Sequence, residues 1–211
     1  CGSLKEGIFF EKNYHEIISR QSKHDICLLS EWQPDDHPLY GTISWKNHKI
    51  SFERICSFLS RFINENNFSI AIALKSRRKS EENFYTKYFK NNIIFYYQSD
   101  DGFSSYNASC FSNVTVALYS FLALELIGSG LKLLYVNPYG DKHFEMTKKD
   151  CDWYLHKPSY DKFSKKLNLL LSQKRSNFDS NNSEEISCIN AFDYSRPMHQ
   201  LLRERILSIT R

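Results

Sequence analysis

Between residues 109 and 137 the apolar positions change their pattern twice, and the changes predict one βαβ unit. Val114-Thr115-Val116-Ala117-Leu118 is a β-branched, uncharged run too short for a helix, which reads as a strand buried on both faces. At Tyr119-Ser120 the chain turns to good helix formers, Phe121 through Ile127, with one acid, Glu125, among them. Ser120 is the candidate N-cap. Gly128-Ser129-Gly130 stops that helix, and residues 131–136 form a second apolar strand before Asn137-Pro138 breaks it.

The same reading predicts strands over 25–29, 69–74 and 93–97 and a short edge strand over 152–155. Helices are expected over 13–22, 51–66, 81–90, 104–110, 159–171 and 195–209. The clearest is 51–66, where Phe52, Ile55, Cys56, Leu59, Phe62 and Ile63 recur at helical spacing and Ser51 is the expected cap. Residues 33–50 contain Pro34, Pro38 and Gly41 and read as a long irregular loop, a candidate lid or acceptor-binding element. Residues 173–187, polar and rich in Ser and Asn, read as a mobile loop. Five or six strands alternating with helices predict one α/β domain over 1–211, a Rossmann-like three-layer α/β/α fold with a mostly parallel sheet.

Composition narrows the function classes. With 41% hydrophobic and 15% aromatic residues the chain is not a disordered one. A net charge of +4 permits an anionic ligand or an anionic membrane surface, but no concentrated basic tract of the nucleic-acid-binding kind is present. No apolar run is long enough to span a membrane and no signal peptide is visible, so a cytoplasmic protein is expected, with peripheral membrane association allowed. The six cysteines are scattered, with no CxxC pair, and read as reduced core thiols rather than disulfides or a zinc site.

Candidate chemistry collects at the carboxyl edge of the predicted sheet, where open α/β sheets bind ligands. Ser120 opens a helix whose amino terminus suits a phosphate. Glu125, in an otherwise apolar helix, is costly to bury unpaired and is placed to accept hydrogen bonds from ribose hydroxyls. Lys75, Arg77, Arg78 and Lys79 follow another strand at the same edge, as a solvated charge run or as an anion site. Ser30-Glu31-Trp32 ends the strand at 25–29. Asp100-Asp101-Gly102 reads as a turn before a helix, with Ser104, Ser105 and Tyr106 in reach of the same edge. His143 and Glu145 sit in a later loop in reach of a ligand, though a lone histidine in a loop is more often merely exposed.

The spacing Ser120, Glu125, Gly130 resembles the donor-nucleotide signature of the C-terminal domain of GT-B glycosyltransferases. More narrowly, the chain is similar to bacterial surface-carbohydrate and capsule transferases of the sialyltransferase-like and Kdo-transferase-like groups. The resemblance implies a nucleotide-sugar donor, CMP-activated in those groups, a glycan or glycolipid acceptor, and no metal or other cofactor. It implies that Ser120, Tyr119, Glu125, Ser104, Ser105, Lys75, Arg77 and Arg78 surround the nucleotide. Gly2 and Ser3 would then face a cleft toward an N-terminal acceptor domain that this chain lacks, an arbitrary chain start being the alternative. The general base would come from that other domain. His37-Pro38 matches a family motif in type but not in position. A sugar-nucleotide epimerase and a non-catalytic Rossmann-like scaffold share the architecture.

Overall fold

The computed structural model describes residues 3–19, 21–37, 41–90, 92–140, 142, 145, 151–189 and 195–209. Its centre is a six-stranded sheet in the order β3-β2-β1-β4-β5-β6. The strands are β1 (His24–Leu29), β2 (Ile70–Ala73), β3 (Ile93–Tyr96), β4 (Ser112–Ala117), β5 (Leu133–Asn137) and β6 (Tyr154–His156), and every neighbouring pair is parallel. The expected Rossmann-like α/β fold is therefore the observed one. β1, β2, β4 and β5 are buried nearly throughout, as strands covered on both faces must be, and their polar residues, apart from Thr115, sit at the strand ends. β3, at the sheet edge, is only half-buried.

The helices are α1 (Leu4–Ser19), α2 (Ile43–Asn66), α3 (Lys79–Thr86), α4 (Ser104–Cys110), α5 (Phe121–Gly128), α6 (Tyr160–Ser172), α7 (Arg175–Ile189) and α8 (Met198–Ile209). α2 and α3, which both connect parallel strands stepping the same way along the sheet, share one face, where Phe52 packs against Phe84 and Tyr85, and α6 joins them. On the other face α1 and α4 meet through Phe9 and Tyr106, with ring centroids 4.8 Å apart, and α5 packs against α7.

Three elements differ from the sequence reading. α1 starts at Leu4 rather than near residue 13, because Ser3 and Glu6 form a reciprocal capping box: Glu6 N donates to Ser3 Oγ at 3.0 Å and Ser3 N to Glu6 Oε2 at 2.9 Å. α2 begins at Ile43, so the second part of the expected 33–50 loop is helical. No helix breaker stands between Gly41 and Asn66, and Ser51, the expected cap, is an interior helix residue whose buried hydroxyl has no partner. Finally, 175–189 is a helix rather than a loop. It needs little apolar surface: Phe178, Asn182 and Ile186 recur on one face and are buried, while Arg175 donates to Gly130 O at 2.7 Å and Ser129 O at 2.9 Å and so caps the end of α5.

The glycine stop after α5 is a Schellman motif. Leu131 N donates to Leu126 O at 3.1 Å and Gly130 N to Ile127 O at 3.0 Å, with Gly130 at φ 72°. Of the cysteines, Cys27, Cys56, Cys110 and Cys151 are free thiols. Burial pushes Cys27 up to about 12, so it is an inert core side chain.

Candidate functional site

The strand order reverses direction between β1 and β4, whose helices leave to opposite faces. At such a reversal an open α/β sheet leaves a crevice at its carboxyl edge. β4 delivers Tyr119 and Ser120 to it. Tyr119 adopts φ 49°, a left-handed conformation rare for a bulky residue and held here by its surroundings. Ser120 then sits at the N-cap of α5 with extended backbone, φ −97° and ψ 124°, but its side chain makes no capping hydrogen bond. Its hydroxyl is thus not committed to the helix, and the first turn of α5 points its amide end at the crevice.

β1 delivers Ser30, Glu31 and Trp32. Ser30 is buried and accepts the hydroxyl of Tyr85 at 2.6 Å while donating to Glu81. Glu81, fully buried on the first turn of α3, also accepts from Lys75 N at 2.9 Å, Ser76 N at 2.8 Å and Ser76 Oγ at 2.6 Å. One carboxylate therefore latches the ends of β1 and β2 together, and fixes where Glu31 and Lys75 emerge.

Glu31 is the most perturbed carboxylate at this edge. Its side chain is 13% exposed, with Lys75 Nζ at 3.6 Å and His48 Nε2 at 3.9 Å. Burial pushes its carboxyl up to about 7, against the pull of the Lys75 ammonium. His48, on α2, is driven down to about 4 by burial and by the charges of Lys75 and His37, so the imidazole is neutral at physiological pH. Its ring lies 5.5 Å from that of Tyr119, which links the β1 side of the crevice to the β4 side. From β5, Tyr135 feels the same cluster: burial, Glu31 and Tyr119 hold its phenol well above the ordinary tyrosine range.

Beside Glu31 a cavity of about 390 Å³ runs between α2 and α3. Glu31, Trp32, Gln33 and Asp35 line it from the chain after β1, His48, Lys49, Phe52 and Glu53 from α2, Ser80, Asn83 and Phe84 from α3, and Lys87 and Tyr88 from the turn that follows α3. None of the residues expected to surround the nucleotide lines it, but Glu31 and Trp32 come from the stretch read at the ligand edge, and Gln33, Asp35, His48 and Lys49 from the 33–50 segment read as a candidate lid or acceptor-binding element.

Those nominated residues divide into separate groups. Glu125 is half-buried and accepts a hydrogen bond from Tyr106 on α4, with no ion pair to a described cation. Ser3 caps α1 and Gly2 lies outside the described residues. Ser104 and Ser105 form the first turn of α4, Ser104 buried and Ser105 partly so. Asp100-Asp101-Gly102 is the expected turn, in which Asp101 Oδ1 accepts from Phe103 N at 2.9 Å and Gly102 has φ 73°. Of the basic run, Lys75 approaches Glu31, while Arg77 pairs with Asp100 at 2.6 Å and Arg78 with Asp36 at 2.7 Å, both exposed. Glu145 is exposed and His143 lies outside the described residues.

The sequence puts Glu31 at the ligand edge and His48 within the 33–50 segment, but assigns neither side chain a role. The signal for Glu31 is an acid two residues past the apolar run Ile26-Cys27-Leu28-Leu29, at the ligand edge. Nothing local signals His48, because its burial depends on α2 reaching back to Ile43. Among the described residues no three His, Cys, Asp or Glu side chains come together as a metal ion would need, and no helix is long and apolar enough to cross a membrane.

Residues 4–196 match the model of a protein family described as "putative O-antigen biosynthesis protein". No curated protein matches the chain.

Proposed function

This chain belongs to that O-antigen biosynthesis family, and from that premise we propose that it is the donor-binding part of a glycosyltransferase that adds a sugar to a bacterial surface polysaccharide. A family tied to O-antigen synthesis works on activated sugars, and the fold offers them a crevice of the kind parallel α/β sheets use for nucleotides. The observation that carries the reading is the β4-to-α5 turn at the strand-order reversal. There Ser120 has a hydroxyl that the helix does not use, next to the amide end of α5.

In this reading the Ser120 hydroxyl, Tyr119 and the first amides of α5 hold the donor phosphate. Glu125 accepts from ribose hydroxyls, and Ser104 and Ser105 flank the nucleoside. Lys75 offsets charge growing on the leaving nucleotide, with Arg77 and Arg78 contributing once they exchange their exposed carboxylate partners for phosphate. The acceptor is a glycan or glycolipid, which is consistent with work at a membrane surface. The donor is a nucleotide sugar, CMP-activated or otherwise, and no metal is required by the residues named.

The reading is tested by thermal shift against CMP, UDP, GDP and their sugars. A nucleotide at a hundred times its Kd should add about 2.7 kcal/mol of stability, and that gain should shrink in Glu125→Ala. A flat response to every nucleotide from a folded sample refutes it. A non-catalytic nucleotide-binding module is the second reading, favoured by the Tyr106 bond to Glu125 and the paired state of Arg77 and Arg78. It gives the thermal shift without sugar transfer.

A further inference from the structure

Resting on that transferase reading, we propose that the cavity between α2 and α3 is the acceptor-sugar subsite, and that Glu31 in its wall is the general base that takes the proton from the acceptor hydroxyl. The cavity, about 390 Å³, is of the size that holds a small ligand. Trp32, Phe52 and Phe84 give it apolar faces for the C–H side of a sugar ring, and Gln33 and Asn83 bring amides for hydroxyls. Its wall carries three acids, Glu31, Asp35 and Glu53, against two lysines, Lys49 and Lys87, so it has no excess of positive charge for a diphosphate, which the amide end of α5 suits better. The two regions adjoin, because His48 lines the cavity and also packs on Tyr119 at the head of that turn. Glu31 lies 3.9 Å from the same imidazole.

The chemistry is balanced with these groups alone. The acceptor O–H bond breaks and its proton goes to the Glu31 carboxylate. The freed oxygen pair forms the new bond to the anomeric carbon of the donor. The bond from that carbon to the donor phosphate oxygen breaks, and its electron pair leaves with the nucleotide. Burial supports the assignment, since a carboxyl raised to about 7 is a far stronger base than an ordinary glutamate and is still ionised above that pH. The groups facing Glu31 are Lys75 after β2, His48 of α2, Tyr85 of α3 and Tyr135 of β5. The imidazole is neutral down to about pH 4 and both phenols are pushed up.

The test is saturation-transfer NMR of the whole chain with a panel of methyl glycosides, run on wild type, Glu31→Gln and Asn83→Trp. Asn83 is exposed on α3 at the cavity wall, so the bulky residue fills the cavity without entering the core. At least one glycoside should bind wild type, with affinity rising about fivefold from pH 6 to pH 8 as a neutral acceptor of the hydroxyl becomes a charged one. The rise should vanish in Glu31→Gln, a comparison that removes every other titrating group from the reading, and binding should vanish in Asn83→Trp. No glycoside binding to a sample that does bind a nucleotide overturns the subsite and leaves the transferase reading intact. Binding that survives Asn83→Trp, or a pH rise that survives Glu31→Gln, also overturns it. Glycoside binding as expected with no nucleotide binding at all overturns the transferase reading, and the acceptor role falls with it.

Discussion

Replacing Glu31 by Gln should make the protein more stable at alkaline pH and leave it nearly unchanged in mild acid. The carboxyl is raised from 4.5 to about 7 because folding strips most of its water and the Lys75 ammonium at 3.6 Å only partly compensates. Between those two values the folded chain keeps a proton that the unfolded chain has lost. The stability this group contributes is therefore full below pH 4.5 and is lost as pH rises through about 7. At about 1.4 kcal/mol per pH unit of separation, the cost reaches about 3 kcal/mol at pH 8. Gln carries no charge and escapes it. His48 acts in the opposite sense, being held neutral, but does so in both proteins and cancels in the difference. Melting curves of the two proteins at pH 5 and pH 8 check this. For a chain of this size the Gln variant should gain roughly 6–12 °C over wild type at pH 8. A Tm difference that does not change between the two pH values would refute the burial argument and return Glu31 to the status of an ordinary surface acid.

Other substitutions separate structural from functional side chains. Glu81→Ala strands the amides of Lys75 and Ser76 and the hydroxyls of Ser30 and Ser76, and should cost about 3–5 kcal/mol in urea unfolding; a loss under about 1 kcal/mol would mean that the latch does not hold the edge together. Ser120→Ala should cost less than about 0.5 kcal/mol, because no capping bond is lost, while nucleotide affinity measured by calorimetry should fall about tenfold. A fall in stability typical of a lost cap with unchanged affinity would reverse that assignment. Phe178→Ala should cost about 3–5 kcal/mol if 175–189 is a packed helix, and circular dichroism with urea melts would show almost nothing if the segment were a loose loop.

What was legible in the sequence follows from where the information is local. The β4-α5-β5 unit could be read because its strands are uniform apolar runs and its helix ends are punctuated by Ser120 and Gly130, each acting within a few residues of itself. α7 was missed because one buried side chain per turn, Phe178, Asn182 and then Ile186, is too sparse a stripe to stand out among polar residues, and because Arg175 finds its partners 45 and 46 residues away. The start of α2 was missed for the opposite reason: its first two turns mix aromatic, basic and polar residues with no clean face, and only the lack of a breaker after Gly41 marks them. The site divides in the same way. The β4-to-α5 turn was visible as a motif, whereas the state of Glu31 is made by α2 folding over it, a nonlocal burial that no local pattern encodes.

The most direct test of the central claim is amide-resolved NMR of the chain titrated with nucleotides and nucleotide sugars. The account predicts that one nucleotide shifts the amides of Tyr119 through Ala123 together with those near Glu31, and that the shifts at the turn are lost in Ser120→Ala. Shifts that gather elsewhere, on the Lys162, Lys165 and Lys166 face of α6 for example, or none from any nucleotide, would contradict it.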